Sequence, residues 1–100
     1  MALEPTRNEV DALLGSTLLE FGTSWCPHCQ HARPLVDHAL SEHPELHHLR
    51  VEDGKGQPLG RSFHVKLWPT LILLRDGREV TRVVRPREAS DLSQALLLLR

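Results

Sequence analysis

The chain has 100 residues, which suits one domain that buries about two thirds of the surface its unfolded chain would expose. Its composition is 40% hydrophobic and 25% charged with a formal net charge of −1, which is ordinary for a globular protein and excludes a general attraction to nucleic acid or anionic membranes. The charge is uneven, with nine acidic and three basic residues up to Asp53 and four acidic and nine basic residues after it; two solvated faces explain this more simply than a polarised partner surface.

The hydrophobic pattern of the first half predicts two helices that alternate with two strands. A capping pattern at Thr6–Glu9 begins the first helix, and Pro34 should kink the second because it removes a hydrogen bond. Since a helix crosses between them, the two strands should be parallel. The predicted elements are a helix at about Arg7–Leu14, a strand at Thr17–Phe21, a helix at about Cys26–Ser41 and a strand at Leu46–Val51.

The second half predicts a short helix, a hairpin and a terminal helix. Asp76-Gly77 is typical of a tight turn between antiparallel strands, and the terminal helix has leucine and alanine along one face. The resulting order, α-βα-βα-ββ-α, indicates an α/β domain whose central sheet is covered by helices on both sides. The predicted elements are a helix near Leu59–Phe63, strands at Thr70–Leu74 and Glu79–Val84, and a helix at about Arg87–Leu99.

The only two cysteines lie in Trp25-Cys26-Pro27-His28-Cys29, directly after the first strand. Haem attachment would need a histidine where Gln30 stands, and none of the seven histidines has the spacing of a zinc finger. If Cys26 begins a helix, Cys29 lies one turn later on the same face, so the sulfurs can meet. The spacing therefore indicates redox chemistry. A structural disulfide is the alternative, but so short a loop constrains the unfolded chain little.

A helix start should favour the thiolate of Cys26. Its unpaired backbone N–H groups and the positive end of the helix dipole stabilise negative charge on sulfur. Pro27 suits the first turn, where its missing N–H would have been unpaired anyway, and a partly cationic His28 imidazole would lower the pKa of the thiol further. We expect Cys26 to be the exposed nucleophile and Cys29 the shielded thiol.

These residues, with four further features, resemble the thioredoxin family over about Thr17 to Leu99. The dithiol motif matches the active-site motif of that family. Pro34 lies eight residues past the first cysteine, where the family has a helix-kinking proline. Glu20 takes the place of a buried aspartate, Trp68-Pro69-Thr70 is similar to the cis-proline loop, and Asp76-Gly77 falls at the hairpin turn.

The resemblance implies the thioredoxin fold, a mixed sheet of about four strands flanked by helices on both faces. Only 25 residues precede Cys26 and they open with a helix, so the first edge strand of the family should be missing. Pro-His stands where thioredoxins have Gly-Pro, as it does in periplasmic disulfide oxidases, and Trp68 replaces an aliphatic residue. Arg85 stands at about the position where the family often has a groove-lining glycine. His48 and Arg50 are both candidates for the lysine that accompanies the buried carboxylate.

The resemblance also implies a thiol–disulfide oxidoreductase that acts on protein disulfides. Cys26 would attack, Cys29 would resolve the mixed disulfide, and Glu20 would accept the proton of Cys29, unless Glu20 is an exposed edge residue. His28 would make the site more oxidising than thioredoxin. A groove for the substrate would be lined by Trp25, Pro27, Trp68, Pro69 and Thr70, with a cis bond before Pro69.

We expect no cofactor or metal. We do expect a redox partner, such as a thioredoxin reductase, that regenerates the dithiol. The chain begins without the basic and apolar regions of a secretory signal, so we expect a cytoplasmic protein; we also expect a monomer that binds neither nucleic acid nor membrane. Two alternatives stay open: a non-catalytic module of the same fold that binds clients, and a protein that holds zinc or copper with the two cysteines and a histidine.

Overall fold

The computed structural model describes residues 4–99, whose single sheet has four strands in the order β2-β1-β3-β4. β1 is parallel to β2 and antiparallel to β3, and β3 is antiparallel to β4, which confirms the predicted mixed sheet. Within these residues no strand precedes β1. The elements are α1 Arg7–Asp11, β1 Ser16–Gly22, α2 Pro27–Glu42, β2 His47–Glu52, α3 Pro58–Ser62, β3 Thr70–Arg75, β4 Arg78–Val84 and α4 Ala89–Leu97.

Two hydrophobic clusters lie on opposite faces of the sheet, because successive residues of a strand point to opposite sides. Leu18 of β1 packs in the cluster under α2 and α4, whereas its neighbour Leu19 packs in the cluster that α1 and α3 cover. Both leucines are fully buried. Helices therefore cover both faces, as predicted. Of the helices in residues 4–99, none has the length and apolar character needed to cross a bilayer.

α1 is shorter than the hydrophobic pattern predicts. Its capping box is present, since the Glu9 backbone N–H donates to Thr6 Oγ1 at 3.1 Å and the Thr6 N–H donates to Glu9 Oε1 at 2.8 Å. The helix nevertheless ends at Asp11, and Leu14 is 84% exposed. After the helix, Gly15 pairs with Asp76: the Gly15 N–H donates to Asp76 Oδ1 at 2.8 Å and the Asp76 N–H donates to Gly15 O at 2.9 Å.

The β3–β4 turn consists of Asp76 and Gly77, because Arg75 and Arg78 are paired across the strands. Their φ angles are +51° and +79°, and positive φ at both central residues is the mark of the type I′ turn that suits a tight hairpin. The turn also packs against the end of α1. A Cβ added at Gly77 would overlap the backbone carbonyl of Asp11. Gly77 is thus required by its conformation and by the lack of space.

Gly77→Ala should lower the free energy of unfolding by about 2 to 5 kcal/mol, the sum of a left-handed backbone and an overlap with rigid backbone atoms. Gly15→Ala is the matched control, because Gly15 has nearly the same φ, +78°, with no atom within 4 Å of the added Cβ. It should cost only about 1 to 2 kcal/mol. Urea unfolding of both variants measures the difference, and equal losses would contradict the packing of the turn on α1.

Candidate active site

The dithiol lies at the junction between the end of β1 and the start of α2. Cys26 is the N-cap residue of α2 with extended backbone angles, and Pro27 is in the first turn, as predicted. Both cysteines are free thiols. Each is only 6% exposed, so the prediction that Cys26 is the exposed thiol is wrong. The Cys26 sulfur accepts hydrogen bonds from the backbone N–H groups of His28 and Cys29 at the start of the helix.

The pKa of Cys26 is lowered although the thiol is buried. Burial raises the pKa, but the backbone N–H and the thiol of Cys29, the backbone N–H of His28 and the charge of Arg85 together outweigh burial. Each of these groups stabilises negative charge on the Cys26 sulfur. Cys26 is therefore the thiol that the site prepares as a thiolate, and thiolate is the attacking species in disulfide exchange.

The pKa of Cys29 is raised. Burial is the largest cause; the backbone N–H of Thr23 opposes it, while Cys26 and the charge of Glu20 raise the pKa further. Gly22 makes room for the sulfur, because a Cβ at that position would lie 2.6 Å from Cys29 Sγ. The pKa values of the two thiols are therefore shifted in opposite directions, by stronger burial and nearby negative charge at Cys29 and by hydrogen-bond donors and a positive charge at Cys26.

Glu20 lies in the interior of the sheet and is only 4% exposed, so an exposed edge position is wrong for it. His48 Nε2 is 2.8 Å from Glu20 Oε1, and Arg50 Nε is 3.4 Å from the same oxygen. Burial raises the pKa of Glu20, but the hydrogen bond from His48 and the charge of Arg50 outweigh burial and lower it. Both candidates for the family lysine therefore accompany the carboxylate.

A small cavity of about 40 Å³ connects this carboxylate with the dithiol, and Glu20, Thr23 and Cys29 all line it. The hydroxyl of Thr23 is buried and has no hydrogen-bond partner in the protein. A space of this size holds about one water molecule, which the hydroxyl, the carboxylate and the thiol would satisfy. The position of Thr23 in this site could not be predicted from the sequence, because a threonine in a turn carries no signal of its own.

The two tryptophans lie edge to face beside the dithiol, with ring centroids 5.9 Å apart. Trp25 is 67% exposed, whereas Trp68 is partly buried and its indole N–H donates to Asp53 Oδ2 at 2.8 Å. The bond between Trp68 and Pro69 is cis, as the resemblance implied. Thr70 differs from the prediction: it is 1% exposed and its hydroxyl donates to Leu67 O at 2.6 Å, so it holds the loop instead of facing the groove.

Arg85 is a site residue whose role the sequence analysis did not identify. Its φ is +52°, the left-handed region that favours glycine, which accounts for the glycine that the resemblance placed near this position. The Arg85 N–H donates to Pro69 O at 3.0 Å, and its Nε donates to Trp68 O at 2.8 Å. Arg85 thus holds the loop and supplies a positive charge that acts on Cys26.

His28 is exposed and, with Arg85, lines a groove of about 320 Å³. The group of His28 that acts on the Cys26 sulfur is its backbone N–H. The predicted contribution of its imidazole stays a prediction. Within residues 4–99, no three His, Cys, Asp or Glu side chains come together to hold a metal ion, so nothing in this part of the chain supports the zinc or copper alternative.

Comparisons with known proteins agree with this site. Residues 5–97 match the family model described as Thioredoxin. The fold superimposes on the structure of thioredoxin 2 from Pseudomonas aeruginosa PAO1 in its reduced form with a TM-score of 0.89 and 59% identity, covering 99% of this chain and 93% of that one.

Among curated proteins, the thioredoxin of Chlamydia trachomatis serovar D is 31% identical over 78 residues, which are 78% of this chain and 76% of that protein. The TPR repeat-containing thioredoxin TDX of Arabidopsis thaliana is 31% identical over 67 residues, which are 67% of this chain but only 18% of that larger protein. The chain belongs to the thioredoxin family, a family of thiol–disulfide oxidoreductases.

Proposed function

We propose that this domain reduces or rearranges disulfides of protein substrates, with Cys26 as the attacking thiol and Cys29 as the resolving thiol. The observation that carries the proposal is the opposite pKa shift of the two cysteines, lowered for Cys26 and raised for Cys29. A non-catalytic client-binding module has no use for such a difference. The direct test is reduction of insulin disulfides in the presence of a thioredoxin reductase and its reductant.

Two exchange steps complete the reaction. The Cys26 thiolate attacks one sulfur of the substrate disulfide; that S–S bond breaks, a mixed disulfide forms, and the departing substrate thiolate takes a proton from water. Cys29 then loses its proton and attacks the Cys26 sulfur, which releases the second substrate thiol and leaves a Cys26–Cys29 disulfide. Two electrons have passed to the substrate. A redox partner such as a thioredoxin reductase must return two electrons to the domain.

Glu20 receives the proton of Cys29 in the second step. Glu20 is ionised at neutral pH and can take up a proton, although its lowered pKa makes it a weaker base than an ordinary glutamate. The raised pKa of Cys29 makes an acceptor necessary. The water that fits the small cavity carries the proton between them, and the Thr23 hydroxyl orients that water. His48 and Arg50 act as positioning residues for the carboxylate.

The redox poise is more oxidising than that of thioredoxin. Groups that stabilise the Cys26 thiolate stabilise the reduced form, which makes the disulfide a stronger oxidant. The reduction potential of thioredoxin is about −270 mV, and we place the potential of this domain between about −240 and −170 mV. In the reducing cytoplasm that we propose as its location, it would remain mostly dithiol and act as a reductase or isomerase.

The first prediction for this mechanism concerns trapping. Cys29→Ser should accumulate mixed disulfides with protein clients, because the attack by Cys26 still occurs and no thiol resolves its product. Cys26→Ser should trap few or none, since the pKa of the remaining thiol is raised. Non-reducing gels of both variants after incubation with oxidised clients measure the difference. Equal trapping would refute the assignment of roles.

A second prediction concerns the source of the lowered pKa of Cys26. Arg85→Gln should raise that pKa and lower the redox potential, because a positive charge that favours the thiolate is lost. Arg85→Lys, which keeps the charge, should change both quantities less. His28→Gln keeps its backbone N–H, so its effect should be smaller than that of Arg85→Gln.

Two measurements decide this prediction. The rate of alkylation in the Cys29→Ser background rises with pH through the pKa of Cys26, so its midpoint should lie below the value of about 8.5 for free cysteine and move upward in Arg85→Gln. Equilibration with glutathione gives the potential of each variant. If His28→Gln has the larger effect, the imidazole and not Arg85 sets the poise.

A third prediction concerns Glu20. Glu20→Gln should slow the release of the mixed disulfide at neutral pH by about 100-fold, the lower end of what a positioned base contributes, and should leave the first attack unchanged. Glu52→Gln is the matched control, because Glu52 lines the same cavity and is exposed. Rapid-mixing kinetics of a preformed mixed disulfide separate the two steps. Equal release rates in wild type and Glu20→Gln would remove Glu20 from the mechanism.

A further inference from the structure

We infer that a basic surface beside Trp68 selects protein substrates that carry acidic residues next to their disulfide, an inference that rests on the proposed function. The surface is a groove of about 350 Å³, called the basic groove here. Its lining includes Asp53, Lys55, Gln57, Arg61, Lys66 and Trp68. The dithiol mechanism does not use the three cations of this groove.

The basic groove adjoins the dithiol through Trp68. The Trp68 ring forms one wall of the groove and also contacts the ring of Trp25, which precedes Cys26 in the chain. A substrate sulfur that reaches Cys26 therefore lies two side chains away from the groove. Residues a short distance along the substrate from its cysteine would fall into the groove.

The charges of the groove are free for a partner. Lys55, Arg61 and Lys66 are exposed, and none of them belongs to an ion pair within residues 4–99. The acidic residue of the lining, Asp53, is engaged, since it accepts the indole N–H of Trp68 at 2.8 Å and packs against Gly60. The groove therefore presents an excess of positive charge.

Positive charge continues on the other side of the same loop. Arg85 and Arg87 line the groove of about 320 Å³ that also contains His28. Cations thus flank the Trp68–Pro69 segment on both sides. Five of the nine basic residues after Asp53 therefore form a basic rim around part of the active site: Lys55, Arg61, Lys66, Arg85 and Arg87.

The partner that this rim fits is an acidic protein segment. Nucleic acid would also be attracted to cations, but it carries no disulfide for the adjacent thiolate to attack, and the chain as a whole has a net charge of −1. A carboxylate-rich segment beside a substrate cystine satisfies both the chemistry and the charge. Electrostatic complementarity of this kind acts mainly through the rate of association and through selectivity.

The experiment compares three disulfide peptides with the same core, flanked by aspartate and glutamate, by glutamine, or by lysine. We expect kcat/KM to decrease in that order and the preference for the acidic peptide to diminish at high salt, because screening weakens exposed charges. Lys55→Gln with Lys66→Gln should reduce the preference about three- to twenty-fold, since each exposed pair contributes little. Arg78→Gln, an exposed cation at the opposite end of β4, should leave it unchanged.

The outcomes separate this inference from the proposed function. Reduction of insulin disulfides by the unmodified protein tests the proposed function, and its failure would overturn that function. If insulin is reduced but the three peptides react equally, or the preference survives the double lysine variant, the basic groove does not select substrates. Inhibition by a single-stranded oligonucleotide together with equal peptide rates would identify a nucleic-acid surface instead and overturn the inference.

Discussion

The structure depends on one constraint: a negative charge on the Cys26 sulfur must be stabilised where water hardly reaches it. Cys26 is 6% exposed, so the start of α2 replaces the solvent with the backbone N–H groups of His28 and Cys29. Those donors are in place only if the helix begins at Pro27, immediately after its N-cap. Gly22 allows α2 to approach β1 closely enough for Cys29 to fit. The sheet and helix are thus arranged around one sulfur atom.

A second charge deep in the protein depends on strand register. Glu20 lies opposite Arg50 in the parallel pairing of β1 with β2, and His48 lies two residues earlier on the same face of β2. A slip of one residue would place Leu49 or Val51 on that face and leave a buried carboxylate without a cation. The pairing that forms the sheet therefore also fixes the ionisation of Glu20. Fold stability and proton transfer depend on the same contacts.

Local signals predicted most of the fold, and contacts distant in sequence account for what the prediction missed. The capping box at Thr6 and the Asp76-Gly77 turn are each determined by four or fewer neighbouring residues. The path of the chain after α1 could not be predicted in this way, because Gly15 is hydrogen-bonded there to a residue 61 positions away. Which of His48 and Arg50 accompanies Glu20 depends on the register of β1 and β2. The low exposure of Cys26 depends on how its side chain packs at the start of α2.

The topology of the fold brings basic residues that are distant in the sequence together on one surface. Val84 at the end of β4 pairs with Thr70 at the start of β3, so the residues after β4 lie beside the loop that precedes β3. α3 and the segment after it approach that loop from the other side, so basic residues from two separate stretches of the second half of the chain lie on either side of Trp68. Exposed charges in the basic groove are screened and affect a buried thiol little. Substrate selection and redox poise can therefore differ independently in such a domain, except at Arg85, which lines the rim and also acts on Cys26.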